Sequence, residues 1–93
     1  MFDNINNFLD QNGKIKSWPS KRSKKTAILY YLSGKFEIDR KYSEREVNAV
    51  IEQWHTFNDL FILRRGMVDT GFLSRTADGS RYWRENVAPD TIT

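Results

Sequence analysis

Apolar residues recur at helical spacing in the segment that follows Ser43. The first four of them occupy positions i, i+3, i+4 and i+7, which lie on one side of a helix: Val47, Val50, Ile51 and Trp54. Ser43 and Glu46 have the S-x-x-E spacing of a capping box, in which each side chain accepts a hydrogen bond from the other residue's backbone N–H. The pattern therefore predicts a helix that begins directly after Ser43.

A second helix is predicted after a short break at residues 55–57. Asn58 is the expected N-cap, the helix extends to about Thr70, and Gly71 is placed to end it. At about 100° per residue, one broad arc of this helix is apolar. The arc contains Leu60, Phe61, Leu63, Met67 and Val68.

Two adjacent arginines fall on different sides of this second helix. Arg64 lies within the apolar arc, where a guanidinium needs a carboxylate or a backbone carbonyl as its partner. Arg65 lies on the other side of the helix. Its neighbours there are Asn58, Ile62, Gly66 and Asp69. We therefore expect Arg64 to support the fold and Arg65 to be free to meet a ligand.

A β-hairpin is predicted after the second helix. Residues 72–76 and 81–84 are β-prone, and Asp78-Gly79 between them is a strong hairpin signal. Of Tyr82 and Trp83, one ring is expected to cover the core and the other to pack beside the helices; the alternative is stacking on nucleic-acid bases. Helix, short turn, helix and hairpin are the order of a winged helix-turn-helix.

The N-terminal half supplies further elements. Residues 1–11 have apolar positions at helical spacing, which predicts an amphipathic helix that ends at Asn12-Gly13. Residues 14–18 alternate as in a short strand, and Ser20 is the expected cap of a helix over residues 21–33. A polar connection with one extended piece then leads to Ser43.

The predicted fold is thus a single α+β domain, a winged helix-turn-helix with an extra N-terminal helix. Residues 1–12 form that helix, and residues 14–87 form a three-helix core with a C-terminal β-hairpin wing. Residues 88–93 are expected to form a loose tail.

Composition narrows the class of protein. The chain has 93 residues, of which 39% are hydrophobic, and this is enough for one small folded domain. It has no cysteine, which fits a reducing cytoplasm. No apolar run approaches the roughly 20 residues that span a bilayer, so no membrane partner is expected.

Catalytic chemistry has little support in the sequence. The only histidine, His55, falls at a predicted helix end, where it can interact with the helix dipole. One histidine without cysteine does not make a zinc ligand set, and the five glycines show no phosphate-binding pattern. We expect no enzymatic activity, catalytic residue, metal, cofactor or small-molecule ligand.

The charge distribution favours nucleic acid as a partner. The net charge is +3, and residues 11–36 contain seven basic and no acidic residues. Such a run is either a solvated face or a phosphate-contacting patch. In a winged helix the second helix of the motif enters the major groove and the hairpin contacts the DNA nearby. The predicted DNA-binding residues come from the basic run, the second helix and the hairpin: Lys21, Arg22, Lys24, Lys25, Asn58, Arg65, Arg75, Arg81 and Arg84.

The second helix also offers an alternative function. Asp59 and Asp69 would repel phosphates, which argues against a firm sequence-reading role for this helix. Ile62, Gly66 and an outward hairpin ring form instead an apolar patch for a partner protein or for self-association. The alternative is therefore a protein-interaction or dimerisation module without direct DNA binding.

Several spaced motifs also point to a family. They are Trp18-Pro19, Tyr42-Ser43-Glu44, Glu46-Val47-Asn48, Leu63-Arg64-Arg65, Val68-Asp69, Gly71-Phe72-Leu73, Arg75, Gly79 and Tyr82-Trp83-Arg84. In this order they resemble the bacterial domain-of-unknown-function family 2087, over about residues 15–84. The resemblance implies a winged-helix-like domain, found alone or appended to helix-turn-helix transcriptional regulators. It implies no catalytic residue, and it implies that appended members bind a partner or effector.

Overall fold

The computed structural model describes residues 4–87. Its elements in chain order are a 3-10 turn at Asn6–Phe8, α1 at Arg22–Ser33, α2 at Glu44–Gln53, α3 at Leu60–Asp69, β1 at Leu73–Arg75 and β2 at Tyr82–Arg84. The two strands pair antiparallel and form the hairpin that we call the wing. Helices followed by a hairpin make an α+β fold, and the arrangement is compatible with the predicted winged helix-turn-helix.

Helix α2 begins where the capping box predicts. The Ser43 hydroxyl accepts a hydrogen bond from the Glu46 N–H at 3.1 Å, and the Glu46 carboxylate accepts one from the Ser43 N–H at 2.8 Å. The hydrogen bond from the Ser43 N–H, and after it the Ser43 side chain, lower the pKa of the Glu46 carboxyl below its ordinary value. Val47 and Ile51, on the predicted apolar side, are fully buried. The helix and its core face are confirmed.

The cap of α3 lies one residue later than predicted. Asp59, not Asn58, is the N-cap, and its carboxylate accepts a hydrogen bond from the Ile62 N–H at 3.2 Å. Asn58 instead has φ 55°, the left-handed conformation that asparagine tolerates better than most residues. Asn58 therefore provides the left-handed backbone of the tight turn between α2 and α3, and Asp59 provides the cap. Gly71, with φ 82°, ends α3 as expected.

The cap of α1 also differs from the prediction. Lys21 is the N-cap residue, without a capping hydrogen bond from its side chain, and the helix begins at Arg22. Ser20 therefore lies one residue too early to reach the first-turn N–H groups, and its predicted role was wrong. Gly34 is the C-cap residue.

The predicted N-terminal helix is wrong for the residues that the structure describes. From residue 4 to residue 12 there is only the three-residue 3-10 turn. The chain reverses at Gly13 and brings Ile15 between Leu9 and His55 in backbone bridges. Ile15 is completely buried, and its N–H donates to the Trp54 carbonyl at 2.8 Å. Burial of this residue and backbone pairing override the local helical pattern, and the predicted strand at 14–18 reduces to the same bridges.

The core joins the three helices to the wing. The fully buried large side chains include one or more from every helix and from both sides of the α3–β1 connection: Ile28, Leu32, Val47, Ile51, Leu63, Met67, Phe72 and Leu73. Tyr42 lies beside β2 as the predicted extended piece, and its N–H and carbonyl each form a 2.8 Å bond with Tyr82. Residues 1–3 and the predicted tail, residues 88–93, lie outside the described residues.

Candidate nucleic-acid interface

Helix α3 has one buried side and one strongly exposed side. Leu63 and Met67 are fully buried. Gly66 faces α1, where an added Cβ would lie 2.9 Å from both terminal carbons of the Leu29 side chain. The glycine therefore permits the close packing of α3 on α1. On the outer side, the side chain of Arg65 is 82% exposed and that of Asp69 is 65% exposed.

Arg64 supports the fold, as its position predicts. Its side chain is 14% exposed, and Nη1 donates a 2.6 Å hydrogen bond to Oδ1 of Asn48 on α2. Nη2 lies 3.9 Å from the Glu44 carboxylate. The guanidinium thus links the two helices of the motif and satisfies the requirement that a desolvated cation be paired.

Phe61 is not in the core, contrary to the prediction. Its residue surface is 71% exposed, and the Arg64 guanidinium lies 4.8 Å from the centre of its ring. At about 100° per residue, Phe61 is about 140° from the centre of the buried side marked by Leu63 and Met67. The predicted apolar arc was therefore too wide. A narrower arc centred on those two residues would have placed Phe61 outside.

A cleft of about 800 Å³ separates the outer side of α3 from α1; we call it the α1–α3 cleft. Arg22 and Lys25 of α1 and Arg65 of α3 all line it. Its walls also include the apolar side chains of Trp18, Leu29, Phe61 and Ile62. Lys25 Nζ lies 5.9 Å from the centre of the Trp18 ring. Part of the basic run therefore shares a surface with Arg65.

A second cleft, of about 410 Å³, lies on the other flank of α3; we call it the wing cleft. Arg65 and Arg75 both line it, so the first strand of the wing contributes a cation beside α3. Phe61, Arg65 and Asp69 line both clefts and form the ridge between them. The structure thus brings together four of the predicted residues, Arg22, Lys25, Arg65 and Arg75.

The other predicted residues do not line these two clefts. Lys24 Nζ donates to the Asn4 carbonyl at 2.9 Å, and Arg84 Nη1 donates to the Phe36 carbonyl at 3.1 Å. Arg81 Nη1 donates to the neighbouring Ser80 carbonyl at 2.8 Å. Lys21 forms the N-cap of α1, and Asn58 forms the left-handed turn before α3.

Three carboxylates lie on the same surface as the four cations, and each has a structural partner. Asp69 lies 3.5 Å from Arg65 Nε, in an i, i+4 pair along α3. Asp59 caps α3, and Glu44 accepts a 3.4 Å hydrogen bond from the Tyr82 hydroxyl. Their negative charge lowers the affinity of this surface for anions, as the sequence predicts for Asp59 and Asp69.

The tip of the wing is longer than a two-residue turn. Residues 76–81 separate Arg75 from its partner Tyr82, and Asp78-Gly79 lies within this loop. The Thr76 and Ser80 hydroxyls donate to the Asp78 carboxylate at 2.7 and 2.8 Å. These bonds, Thr76 first, lower the pKa of Asp78 to about 2. The network fixes the loop and with it the end of β1 that carries Arg75.

The two aromatic residues of the wing, Tyr82 and Trp83, follow the prediction only in part. Tyr82 is 2% exposed and belongs to the core. Trp83 instead lies in a third cleft, where Lys41 Nζ is 4.0 Å from the centre of a Trp83 ring. The predicted apolar patch of Ile62, Gly66 and an outward hairpin ring is therefore not continuous, because Trp83 does not line the α1–α3 cleft.

His55 has the structural position that the sequence predicts. It is 8% exposed, and its Nε2 accepts a 3.1 Å hydrogen bond from the Asp59 N–H. Nδ1 therefore carries the proton and donates to the Ile51 carbonyl at 2.7 Å. The ring connects the end of α2 to the cap of α3. Among residues 4–87, no group of three or more histidines and carboxylates is arranged to hold a metal ion.

The sequence model of the family described as an uncharacterized protein conserved in bacteria (DUF2087) matches residues 14–84. The chain belongs to this family. The match to DUF2087 covers α1 to β2 and both clefts, and it confirms the resemblance found in the sequence. No curated protein and no solved structure matches the chain. Within residues 4–87, none of the helices is long and apolar enough to cross a membrane.

Proposed function

We propose that this protein binds duplex DNA with α3 in the major groove. One observation carries the proposal: cations flank α3 on both sides, with Arg22 and Lys25 along the α1–α3 cleft and Arg75 along the wing cleft. A major groove is bordered on both sides by phosphates, and at about 12 Å it is wide enough to admit one helix. A helix with cations on both flanks matches that arrangement.

The contacts of this surface are mainly with phosphates. Arg22 and Arg75 have neither an ion-pair nor a hydrogen-bond partner for their side chains among residues 4–87, so both guanidinium groups are available. Arg65 is 82% exposed and its single contact with Asp69 is long, at 3.5 Å. Contacts of this kind position a protein on the duplex without reading its sequence.

The proposed role is a small regulator of transcription, because binding of a helix and its wing to duplex DNA is the activity that this motif performs. The proposal involves binding without catalysis. The absence of cysteine supports a cytoplasmic location, where thiol-free proteins lose nothing to a reducing environment.

A salt series tests this proposal. Binding to a random-sequence duplex should weaken with a slope of about −3.6 in log K against log salt, at about 0.9 for each of four phosphate contacts. Arg22→Gln, Lys25→Gln or Arg75→Gln should each reduce the slope by about 0.9. Lys16→Gln is the matched control, because Lys16 is exposed and lines neither cleft. A wild-type protein that does not bind at low salt, or an equal loss in Lys16→Gln, contradicts the proposal.

A second candidate function is protein docking, and the exposure of Phe61 favours it. The ring is 71% exposed beside the apolar walls that Trp18, Leu29 and Ile62 give to the α1–α3 cleft. Exposed apolar surface of this kind is typical of protein interfaces. A mass measurement in solution distinguishes the two functions. Docking to a second copy predicts a dimer without DNA that Phe61→Ala dissociates, whereas the preferred function predicts a mass increase only when DNA is added.

A further inference from the structure

The proposed phosphate contacts do not account for the exposed apolar ring of Phe61. The large hydrophobic residues exposed in the described part of the chain are Phe61, at 71%, and Ile38, at 46%. Phe61 is the second residue of α3 and lies on the ridge between the two cationic flanks, one turn before Arg65. It therefore presents an exposed apolar ring to a ligand that lies between those flanks.

The ring of Phe61 is also held in place. The Arg64 guanidinium lies 4.8 Å from its centre, a cation–π distance. Arg64 is itself fixed by its 2.6 Å hydrogen bond to Asn48 on α2. The position of the exposed ring is thus set by the buried contact between the two helices. A held side chain loses less conformational freedom on binding than a mobile one.

We infer that Phe61 contacts the 5-methyl group of thymine in the major groove and so gives this protein a preference for T-containing sites. The inference rests on the proposed DNA binding. Residues near the N-terminus of a recognition helix are the ones that reach base edges. In the major groove the thymine methyl is the apolar group that a base pair presents, and phenylalanine is one of the side chains that contact it.

The charges beside Phe61 agree with this assignment. On the ridge, Asp69 offsets the charge of Arg65, and Asp59 lies beside it in the α1–α3 cleft, whereas Arg22, Lys25 and Arg75 lie on the flanks without such a carboxylate pair. The phosphates are thereby directed to the flanks. The uncharged interior of the groove then faces the ridge. An apolar ring at the ridge then meets base edges and not the sugar-phosphate backbone.

The test compares two duplexes that are identical except that every thymine is replaced by uracil, which removes only the methyl groups. Wild-type protein should bind the uracil duplex about fourfold more weakly for one lost methyl contact. Phe61→Ala should bind both duplexes equally, and its salt slope should match that of wild type because no charge is removed. Phe61→Leu, which keeps an apolar group, should retain part of the preference.

Ile38→Ala is the matched control, because Ile38 is exposed but lines the third cleft, away from α3. It should keep the full difference between the duplexes. Equal binding of both duplexes by wild type overturns the inference, while a steep salt slope in the same experiment leaves the proposed function intact. No binding of either duplex at low salt removes both. A Phe61→Ala protein that retains the preference shows that another group reads the methyl, and it overturns the assignment.

Discussion

The cations of this protein fall into two regions that use the same charge differently. Away from α3, Lys35 Nζ lies 4.0 Å from the centre of a Trp54 ring and Lys41 Nζ lies 4.0 Å from that of Trp83. Arg84 donates to the Phe36 carbonyl. Along α3, in contrast, Arg22 and Arg75 have no ion-pair or hydrogen-bond partner among the described side chains and carbonyls.

This difference shows that the number of basic residues does not locate a binding surface. A cation stacked on a ring or bonded to a carbonyl contributes to the fold, and a ligand that recruits it must first break that contact. A cation without a partner has no such cost. The proposed interface is therefore centred on Arg22 and Arg75, whose side chains have no ion-pair or hydrogen-bond partner among residues 4–87, and not on the whole basic run from residue 11 to residue 36.

The largest expected effect is the difference in stability between substitutions of the two adjacent arginines, Arg64 and Arg65. Arg64→Met should lower the free energy of unfolding by about 2 kcal/mol, since it removes a hydrogen bond from a charged, largely buried group. Arg65→Met should change it by less than about 0.5 kcal/mol and should weaken DNA binding instead. Urea denaturation measures the first effect, and titration of a labelled duplex measures the second. Equal destabilisation by both variants would contradict the division of roles.

Arg75 and Arg84, one on each strand of the wing, test the comparison directly. Arg75→Gln should weaken binding to duplex DNA about 5- to 10-fold near 0.1 M salt, through the loss of one phosphate contact, and should leave stability unchanged. Arg84→Gln should lower stability by about 1 kcal/mol, because the Phe36 carbonyl loses its donor, and should leave the salt slope unchanged. Thermal unfolding and a salt series on both variants check these outcomes. If Arg84→Gln also reduced the slope, the distinction between the two regions would be lost.

Removing the negative charge of Asp69 from the ridge should increase the contribution of the α3 region to DNA binding. Asp69→Asn should tighten binding to duplex DNA about two- to fivefold, because it frees Arg65 and removes repulsion of phosphates. Its cost in stability should be small, at about 0.3–0.5 kcal/mol for an exposed i, i+4 pair. Fluorescence anisotropy at one fixed salt concentration measures the change. Glu52→Gln, an exposed carboxylate that lines neither cleft, is the control and should leave the affinity unchanged.

The smallest expected effect concerns the loop that holds Arg75. The pKa of Asp78, at about 2, lies below its ordinary value of 3.8. The network therefore stabilises the fold above about pH 4, and this contribution is lost as the pH falls through about 2. Thr76→Val should raise the pKa of Asp78 toward 3.8, as measured by NMR titration of the carboxyl carbon. An unchanged pKa would show that the Ser80 bonds alone are sufficient.

The sequence predicted the α2–α3–wing region well because its signals are local. A capping box, an apolar side and a glycine-terminated helix each depend on residues less than two turns apart. The region before α1 was predicted poorly because Ile15 is placed by backbone pairing with Leu9 and His55, the latter far along the chain. Periodicity in a short segment carries no information about such pairing.

The candidate site was predictable only in part, for a related reason. A helical wheel separated Arg64 from Arg65, but it placed Phe61 on the wrong side because the centre of the buried side depends on how α3 packs on α1. The basic run likewise did not show that Lys24 turns toward Asn4 while Arg22 and Lys25 line a cleft. Side-chain partners of this kind are set by tertiary packing.

The backbone pairing of Tyr42 with Tyr82 has a consequence for how the molecule opens. Tyr42 directly precedes the capping residue of α2, and Tyr82 begins β2, so separation of this pair loosens the start of α2 and the base of the wing together. Their amide hydrogens should exchange with solvent at one common rate, as members of a single cooperative unit. Because Tyr82 is also the strand partner of Arg75, the same pairing fixes the position of Arg75 relative to the start of α2.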